Sequence, residues 1–296
     1  MIKFVNAKIN IGLNVIRRRE DGYHDLETVF FPVGLESGLP HQPEAFDDIL
    51  EIVSVNDKLS GCRFHLMGRK IDCAPEKNII VKAARKFFVN YSQFNDDLGN
   101  YGMFDIYLDK HLPDGAGLGG GSADAAFTLK MLNEITGEKF SQATLIEMAK
   151  EIGADCPFFL IDKPCFAEGV GEILTPMEID LSGCQILIVK PEVLVSTKDA
   201  FSEIKPAKPD FDLRFLPDLP LEKWEKYVKN DFEKVIFAKF PVLAEIKETL
   251  YKEGAVYASM SGSGSALYGI FKENERAKAA RDLFDSTYSD VWLFGI

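Results

Sequence analysis

Leu112 to Ala126, LPDGAGLGGGSADAA, carries the densest chemistry in this 296-residue chain. Gly115, Gly117, Gly119, Gly120 and Gly121 run straight into Ser122 and the helix-forming stretch Ala123 to Met131. Glycine accepts positive φ and lets another group approach the backbone, and Ser122 is a good N-cap for the helix expected behind it. A glycine loop feeding a helix N-terminus gathers free N–H groups and the positive end of the helix dipole, an arrangement that binds anions, most often phosphate. No Lys follows the glycines, which excludes a G-x-x-x-x-G-K-[ST] loop. Gly115, Gly117 and Gly120 spell G-x-G-x-x-G, but a dinucleotide fold needs an acidic residue about 20 positions on, at the end of a second strand. Glu134 and Glu138 instead fall at the end of the same helix and in the turn after it. H-R-D and D-F-G are both missing downstream, which excludes a protein-kinase loop. A tight glycine linker is the remaining bland reading, and the clean cap and helix count against it.

Four further groups could do chemistry. Lys8 and Asn10 share one face of an expected strand by the two-residue period, although a lone strand lysine is usually solvated. Tyr23 and His24 follow the Asp21-Gly22 turn, where both a recognition element and a plain surface turn fit. Asp155 lies between the helix-ending Gly153 and the apolar run Pro157 to Leu160. It suits a helix cap best, and after that a general base or charge anchor held near phenylalanines. Ser261-Gly262-Ser263-Gly264-Ser265 suits a hairpin turn or a second anion nest.

The elements that must position these groups follow from periodicity. Met1 to Val15 reads as one or two strands and Glu27 to Leu35 as another. Asp48 to Val55 and Cys62 to Met67 read as a strand pair joined by a loop through Asn56 and Gly61. Asn78 caps a helix from Ile79 to Phe88, Asn90 to Gly102 is a polar loop, and strand Met103 to Leu108 delivers the chain into the glycine loop. The loop's helix stops near Gly137, and a second begins at Ser141, with Phe140 and Leu145 placed as a hydrophobic staple, and ends at Gly153. Cys165 to Ile173 is a hairpin.

The C-terminal part opens with strand Gln185 to Lys190, a short helical piece at Asp199 to Ile204 and the proline-punctuated stretch Lys205 to Pro220. Helices at Leu221 to Val228, Asp231 to Ala238 and Val242 to Lys252 precede strands Ala255 to Met260 and Ala266 to Phe271, helix Asn274 to Asp285 and strand Asp290 to Phe294. This is a split βαβ layout of ferredoxin-like type. The pattern shift between residues 162 and 184 divides the chain into domains 1–164 and 165–296.

Composition narrows the function classes. A net charge of −12 argues against a nucleic-acid surface, which needs clustered Lys and Arg. Five scattered cysteines without C-x-x-C fit reduced thiols rather than a disulfide framework or zinc site. Polar residues interrupt Met1 to Gly12, so no signal peptide is expected, and no apolar run approaches the ~18 residues of a membrane span. A cytoplasmic location is expected.

Three separated stretches, the strand Ala7 to Asn10 (AKIN), the loop Pro113 to Ala123 (P-x-x-x-G-L-G-G-G-S-A) and the S-G-S-G turn, together resemble the GHMP small-molecule kinase superfamily. DGYHDLETVF, NIIVKAA, GADCPFFL and FAEGVGEILTP resemble the branch of that group that acts on a diphosphocytidyl polyol in the non-mevalonate isoprenoid route; mevalonate and homoserine kinases do not share DGYH. The resemblance implies an α+β fold of two domains, the first like domain 2 of ribosomal protein S5 and the second ferredoxin-like. It implies ATP and Mg²⁺ as cofactors and phosphorylation of the polyol's 2-hydroxyl. Lys8 and Asp155 match the catalytic pair. Pro113, Asp114, Gly115, Ala116, Gly117, Leu118, Gly119, Gly120, Gly121, Ser122 and Ala123 match the ATP-phosphate loop, with the Ser122 hydroxyl available to Mg²⁺.

Asn78 and Lys110 match positions near the adenine, and Asn10, Tyr23 and His24 match substrate-holding positions. Phe201 aligns with an aromatic that stacks on cytosine. Phosphoryl transfer needs positioning and charge stabilisation above all, which agrees with these roles. The implied partners are ATP and a cytidine-diphosphate-linked polyol, with neither nucleic acid nor membrane, in a monomer or weak homodimer. A GHMP kinase for another alcohol, and a non-catalytic nucleotide-binding protein on the same fold, are the alternatives.

Overall fold

The computed structural model describes the chain except residues 35–45, 56–59, 95–101, 197–199 and 202. Leu35, Asn56, Asp199 and part of the expected polar loop therefore lie outside the described residues. Two compact units emerge, and neither is a continuous stretch of chain. The first comprises Met1–Ala7, Ala45–Asp114 and Gly119–Asp162; the second comprises Lys8–Glu44, Gly115–Leu118 and Lys163–Ile296. A linear division at 164/165 lies close to the last passage between units but does not express the upstream interleaving.

In the first unit one sheet is ordered β1 (Ile2–Val5), β4 (Asp48–Val55), β6 (Met103–Lys110), β5 (Gly61–Gly68). The expected pairing of β4 with β5 is not made. Strand β6 enters between them, antiparallel to β4 from Ile49↔Asp109 to Val55↔Met103 and parallel to β5 from Gly61↔Met103 to Gly68↔Lys110. The reason is burial: β6 is almost wholly buried and takes the centre, whereas β5 is half-exposed and suits an edge. Helix α1 (Ile79–Tyr91) turns Ile80, Val81, Ala83, Ala84, Phe87 and Phe88 inward. Asn78 caps it as expected, its Oδ1 accepting from the Ile80 N–H at 2.8 Å. Helix α2 (Gly120–Ile135) is buried nearly all round, and α3 (Gln142–Lys150) is capped by Ser141. The short α4 (Cys156–Ile161) completes the unit.

The second unit holds two sheets. One is ordered β2 (Ala7–Arg18, Ala7 itself counting with the first unit), β3 (His24–Val33), β7 (Cys165–Gly169), β8 (Ile173–Pro176), with β7 and β8 forming the expected hairpin. The other is ordered β10 (Tyr257–Met260), β11 (Leu267–Phe271), β9 (Gln185–Lys190), β12 (Asp290–Gly295), every neighbour antiparallel. Helices α5 (Trp224–Tyr227), α6 (Phe232–Lys239) and α7 (Pro241–Lys252) intervene between β9 and β10, and α8 (Asn274–Asp285) between β11 and β12. This is the ferredoxin-like order expected from the split βαβ layout. Its core joins Leu187 and Val189 of β9 to Ile246 and Leu250 of α7 and Phe284 of α8.

All five cysteines are free thiols. Among the described residues no helix is long and apolar enough to cross a membrane.

Replacing Asn78 with Ala removes the α1 cap and is expected to lower stability by about 1 kcal/mol. Urea unfolding reads this directly, and an unchanged midpoint would show that the cap contributes nothing.

Candidate active site

The glycine loop is anchored differently in the two units. In the second, three consecutive loop carbonyls are taken. Ala116 O accepts from the Ala266 N–H at 3.0 Å, and Leu118 O from the Lys8 N–H at 2.9 Å. Between them Gly117 O accepts from Lys8 Nζ at 3.0 Å and Ser261 Oγ at 2.8 Å. Gly117 has φ +79°, and a Cβ there would overlap the Ser261 carbonyl, so only glycine fits. The S-G-S-G turn, for which hairpin chemistry and an anion nest were both open, is thus a seat for the loop. Asn230 holds that seat, its Nδ2 donating to Met260 O and Gly262 O, each at 2.8 Å.

Lys8 is 3% exposed and not solvated. Its ammonium donates to Asn10 Oδ1 at 2.5 Å and lies 4.9 Å from the centre of the Phe30 ring. Asn10 is fixed from several sides. Its N–H donates to Ser261 Oγ at 3.1 Å, its Nδ2 donates to Thr28 Oγ1 at 3.0 Å, and its carbonyl accepts from the Tyr268 hydroxyl at 2.8 Å. His24, Leu26, Thr28 and Phe30 alternate along β3, and that period places His24 on the face that carries Thr28 and Phe30. The His24 ring stacks on Phe201 with centroids 4.8 Å apart, and Phe201 packs edge-on against Phe232. Burial, then the charge of Arg18, lowers the His24 pKa below its ordinary value. Tyr23 is 65% exposed.

In the first unit the loop leads into α2. The N-cap is Gly119, left-handed at φ 75°, and not the expected Ser122. Glycine takes that conformation without strain, so the helix starts three residues earlier and Ser122 becomes its third residue. The N–H groups of Gly120, Gly121 and Ser122 then have no intrahelical acceptor, the arrangement that binds an anion. Ser122 opposes the burial that pushes the thiol of Cys156 up to about 12. Asp155 directly precedes it. Asp155 occupies the N-cap position of α4 but makes no side-chain capping bond, so the capping reading is not realised.

Lys110, expected beside the adenine, is enclosed. Its ammonium, 1% exposed, donates to Asp48 Oδ2 at 2.5 Å and Asp124 Oδ2 at 2.7 Å. Burial pulls the Lys110 pKa down, but the charges of Asp124 and Asp48 outweigh it and the net direction is up. Burial raises Asp124, Lys110 opposes the rise and Asp48 adds to it. Asp48 Oδ1 also accepts from the His111 N–H at 2.6 Å and the Leu112 N–H at 2.8 Å. Asn78 lines a pocket of about 160 Å³ with Phe64, Leu66, Ile71, Cys73 and Pro75. Among the described residues no group of three or more His, Cys, Asp or Glu could hold a metal ion.

The supporting residues Thr28, Phe30, Asp48, Asp124, Asn230 and Tyr268 carry no motif of their own. Only the two-residue period of β3 pointed toward Thr28 and Phe30.

Comparison with known proteins places these features among kinases. Residues 78–163 match the family model for the GHMP kinases N terminal domain, and residues 216–290 that for GHMP kinases C terminal. The 4-diphosphocytidyl-2-C-methyl-D-erythritol kinase of Bacteroides fragilis is 48% identical over 276 residues, covering 93% of this chain and 94% of the relative. That of Parabacteroides distasonis is 40% identical over 294 residues, covering 99% and 98%. A crystal structure of 4-(cytidine 5'-diphospho)-2C-methyl-D-erythritol kinase superposes with a TM-score of 0.78 at 30% identity, covering 100% of both chains.

Gly117→Ala is expected to displace the loop from Ser261 and cut kcat/KM on the order of 100-fold, as misplacement by about 1 Å does. Ser261→Ala removes one buried hydroxyl and costs about 1 kcal/mol of stability. Wild-type turnover in Gly117→Ala would contradict the geometry.

Proposed function

Because this chain belongs to the GHMP kinases and, within them, to the 4-diphosphocytidyl-2-C-methyl-D-erythritol kinases, we propose that it transfers the γ-phosphoryl group of ATP to the 2-hydroxyl of 4-diphosphocytidyl-2-C-methyl-D-erythritol. The observation that carries this reading is the left-handed Gly119 that starts α2 and leaves its first N–H groups without intrahelical acceptors, the arrangement that takes phosphate oxygens. The N–H groups of Gly120, Gly121 and Ser122 cradle the β- and γ-phosphates. Lys8 stabilises negative charge developing on the transferred group. Asp155 accepts the proton of the acceptor hydroxyl, within about 3 Å of it when substrate is bound. Asn10, held on several sides, gives the acceptor a fixed polar contact.

The nucleoside ends follow from the same reading. The Asn78 pocket takes the adenine ring. Tyr23 and Phe201 offer aromatic faces to the cytosine, and neutral His24 hydrogen-bonds its polar edge. Lys110 acts on the loop from beneath and does not contact the adenine. The Ser122 hydroxyl at the first turn of α2 would hold Mg²⁺ brought in with the nucleotide, and the ion would supply neutralisation of the phosphate charge.

An acceptor panel tests the substrate. ADP release is expected with 4-diphosphocytidyl-2-C-methyl-D-erythritol and not with mevalonate or homoserine, and failure on the first acceptor sinks the reading. Asp155→Asn should lose about 10²–10⁴ in kcat, the worth of a positioned base, while ADP still binds. Near-normal turnover would remove Asp155 from the chemistry.

A second expectation concerns pH. Burial, then the charge of Arg18, lowers the His24 pKa below its ordinary value, which favours the neutral ring and moves its charging to the acid side. KM for the cytidine substrate should therefore rise on the acid side, and His24→Gln should flatten that limb. An identical acid limb in the variant would assign it to another group.

A further inference from the structure

Lys110 joins two segments of the first unit that flank the loop. Its ammonium meets Asp124 on the second turn of α2 and Asp48 at the start of β4. The other oxygen of Asp48 accepts the consecutive N–H groups of His111 and Leu112, where β6 passes into the loop. Gly120, the first residue of α2, lies over the same ammonium: a Cβ there would come within 3.1 Å of Lys110 Nζ and of Leu112 Cβ. All three charged side chains are buried, and Asp124 Oδ1 has no hydrogen-bond partner. Burial of three charges is costly unless their geometry is held, and a cluster whose bonds all lead to the two flanks of one loop holds that loop's shape.

We propose that Asp48 and Asp124 are positioning residues for the nucleotide: through Lys110 they clamp the chain at His111 and Leu112 to the first turns of α2, setting where the N–H groups of Gly120 to Ser122 point. The inference rests on the reading of those N–H groups as the ATP-phosphate cradle. It assigns to the cluster an effect on ATP and none on the acceptor.

The test uses the full chain, steady-state KM for ATP and for the acceptor, and calorimetric binding of ADP. Asp124→Ala unties α2 from Lys110 and is expected to raise KM for ATP and Kd for ADP about 10-fold or more, leaving the acceptor KM within about twofold. Asp124→Asn keeps an oxygen that accepts from Lys110 and should recover most of the ATP affinity. Asp48→Asn retains an acceptor for His111 and Leu112, removes the charge facing Lys110, and should give a smaller shift in the same direction. This variant and Asp124→Asn decide the matter if Asp124→Ala does not fold. A lowered Tm with unchanged ATP and ADP values, or equal rises in both KM values, would overturn the proposal. A wild-type chain that binds ADP but phosphorylates no acceptor would remove the kinase reading alone, and the ADP measurements would then decide this inference.

Discussion

The contact at Gly117 is the constraint on which the rest of the second unit's active-site network depends. Its carbonyl takes hydrogen bonds from a buried ammonium and a buried hydroxyl, while its α-carbon lies where any side chain would overlap the Ser261 carbonyl. Three demands meet there. The loop must have φ +79° at that residue, the S-G-S-G turn must approach without side chains in the way, and strand β2 must bring Lys8 to the right depth. Gly262 answers the second demand, since a Cβ on it would come within 3.2 Å of Asn10 Oδ1. Asn230 answers it from the other side by holding the carbonyls that flank Ser261.

Two lysines are buried, Lys8 and Lys110. Lys110 is given two carboxylates and sealed, so its charge is spent on structure; removing one partner from such a cluster costs about 3–5 kcal/mol. Within its own unit Lys8 meets neutral dipoles, Asn10 Oδ1 and Gly117 O, and the face of Phe30. Dipoles and a ring face orient an ammonium through its hydrogen bonds, as the two carboxylates do for Lys110.

Much of this was legible in the sequence, and the misses share a cause. Alternation gave β2, β3 and β6, the Asn78 cap and the Ser141 cap were read from local chemistry, and the split βαβ layout gave the antiparallel sheet of β9 to β12. Each of those signals lies within a few residues. The pairing of β4 with β5 suggested by the turn between them is not made, because the strand that separates them begins at Met103, far beyond that turn. The side chain of Ser122 suits the cap, whereas Gly119 takes that place through a left-handed backbone that sequence chemistry ranks lower. The two carboxylates that enclose Lys110 come from β4 and α2, beyond the reach of any local pattern. The Asn10 to Ser261 bond spans 251 positions, and no local pattern reports such a contact.

The most direct measurement of the central claim is where the phosphate goes. Incubated with ATP, Mg²⁺ and 4-diphosphocytidyl-2-C-methyl-D-erythritol, the chain should yield a product whose ³¹P NMR spectrum keeps the diphosphate pair of resonances and gains one phosphomonoester, coupled to the carbon skeleton at C2. Hydrolysis of ATP to free phosphate with the polyol unchanged, or a phosphomonoester on a different hydroxyl, would contradict the account.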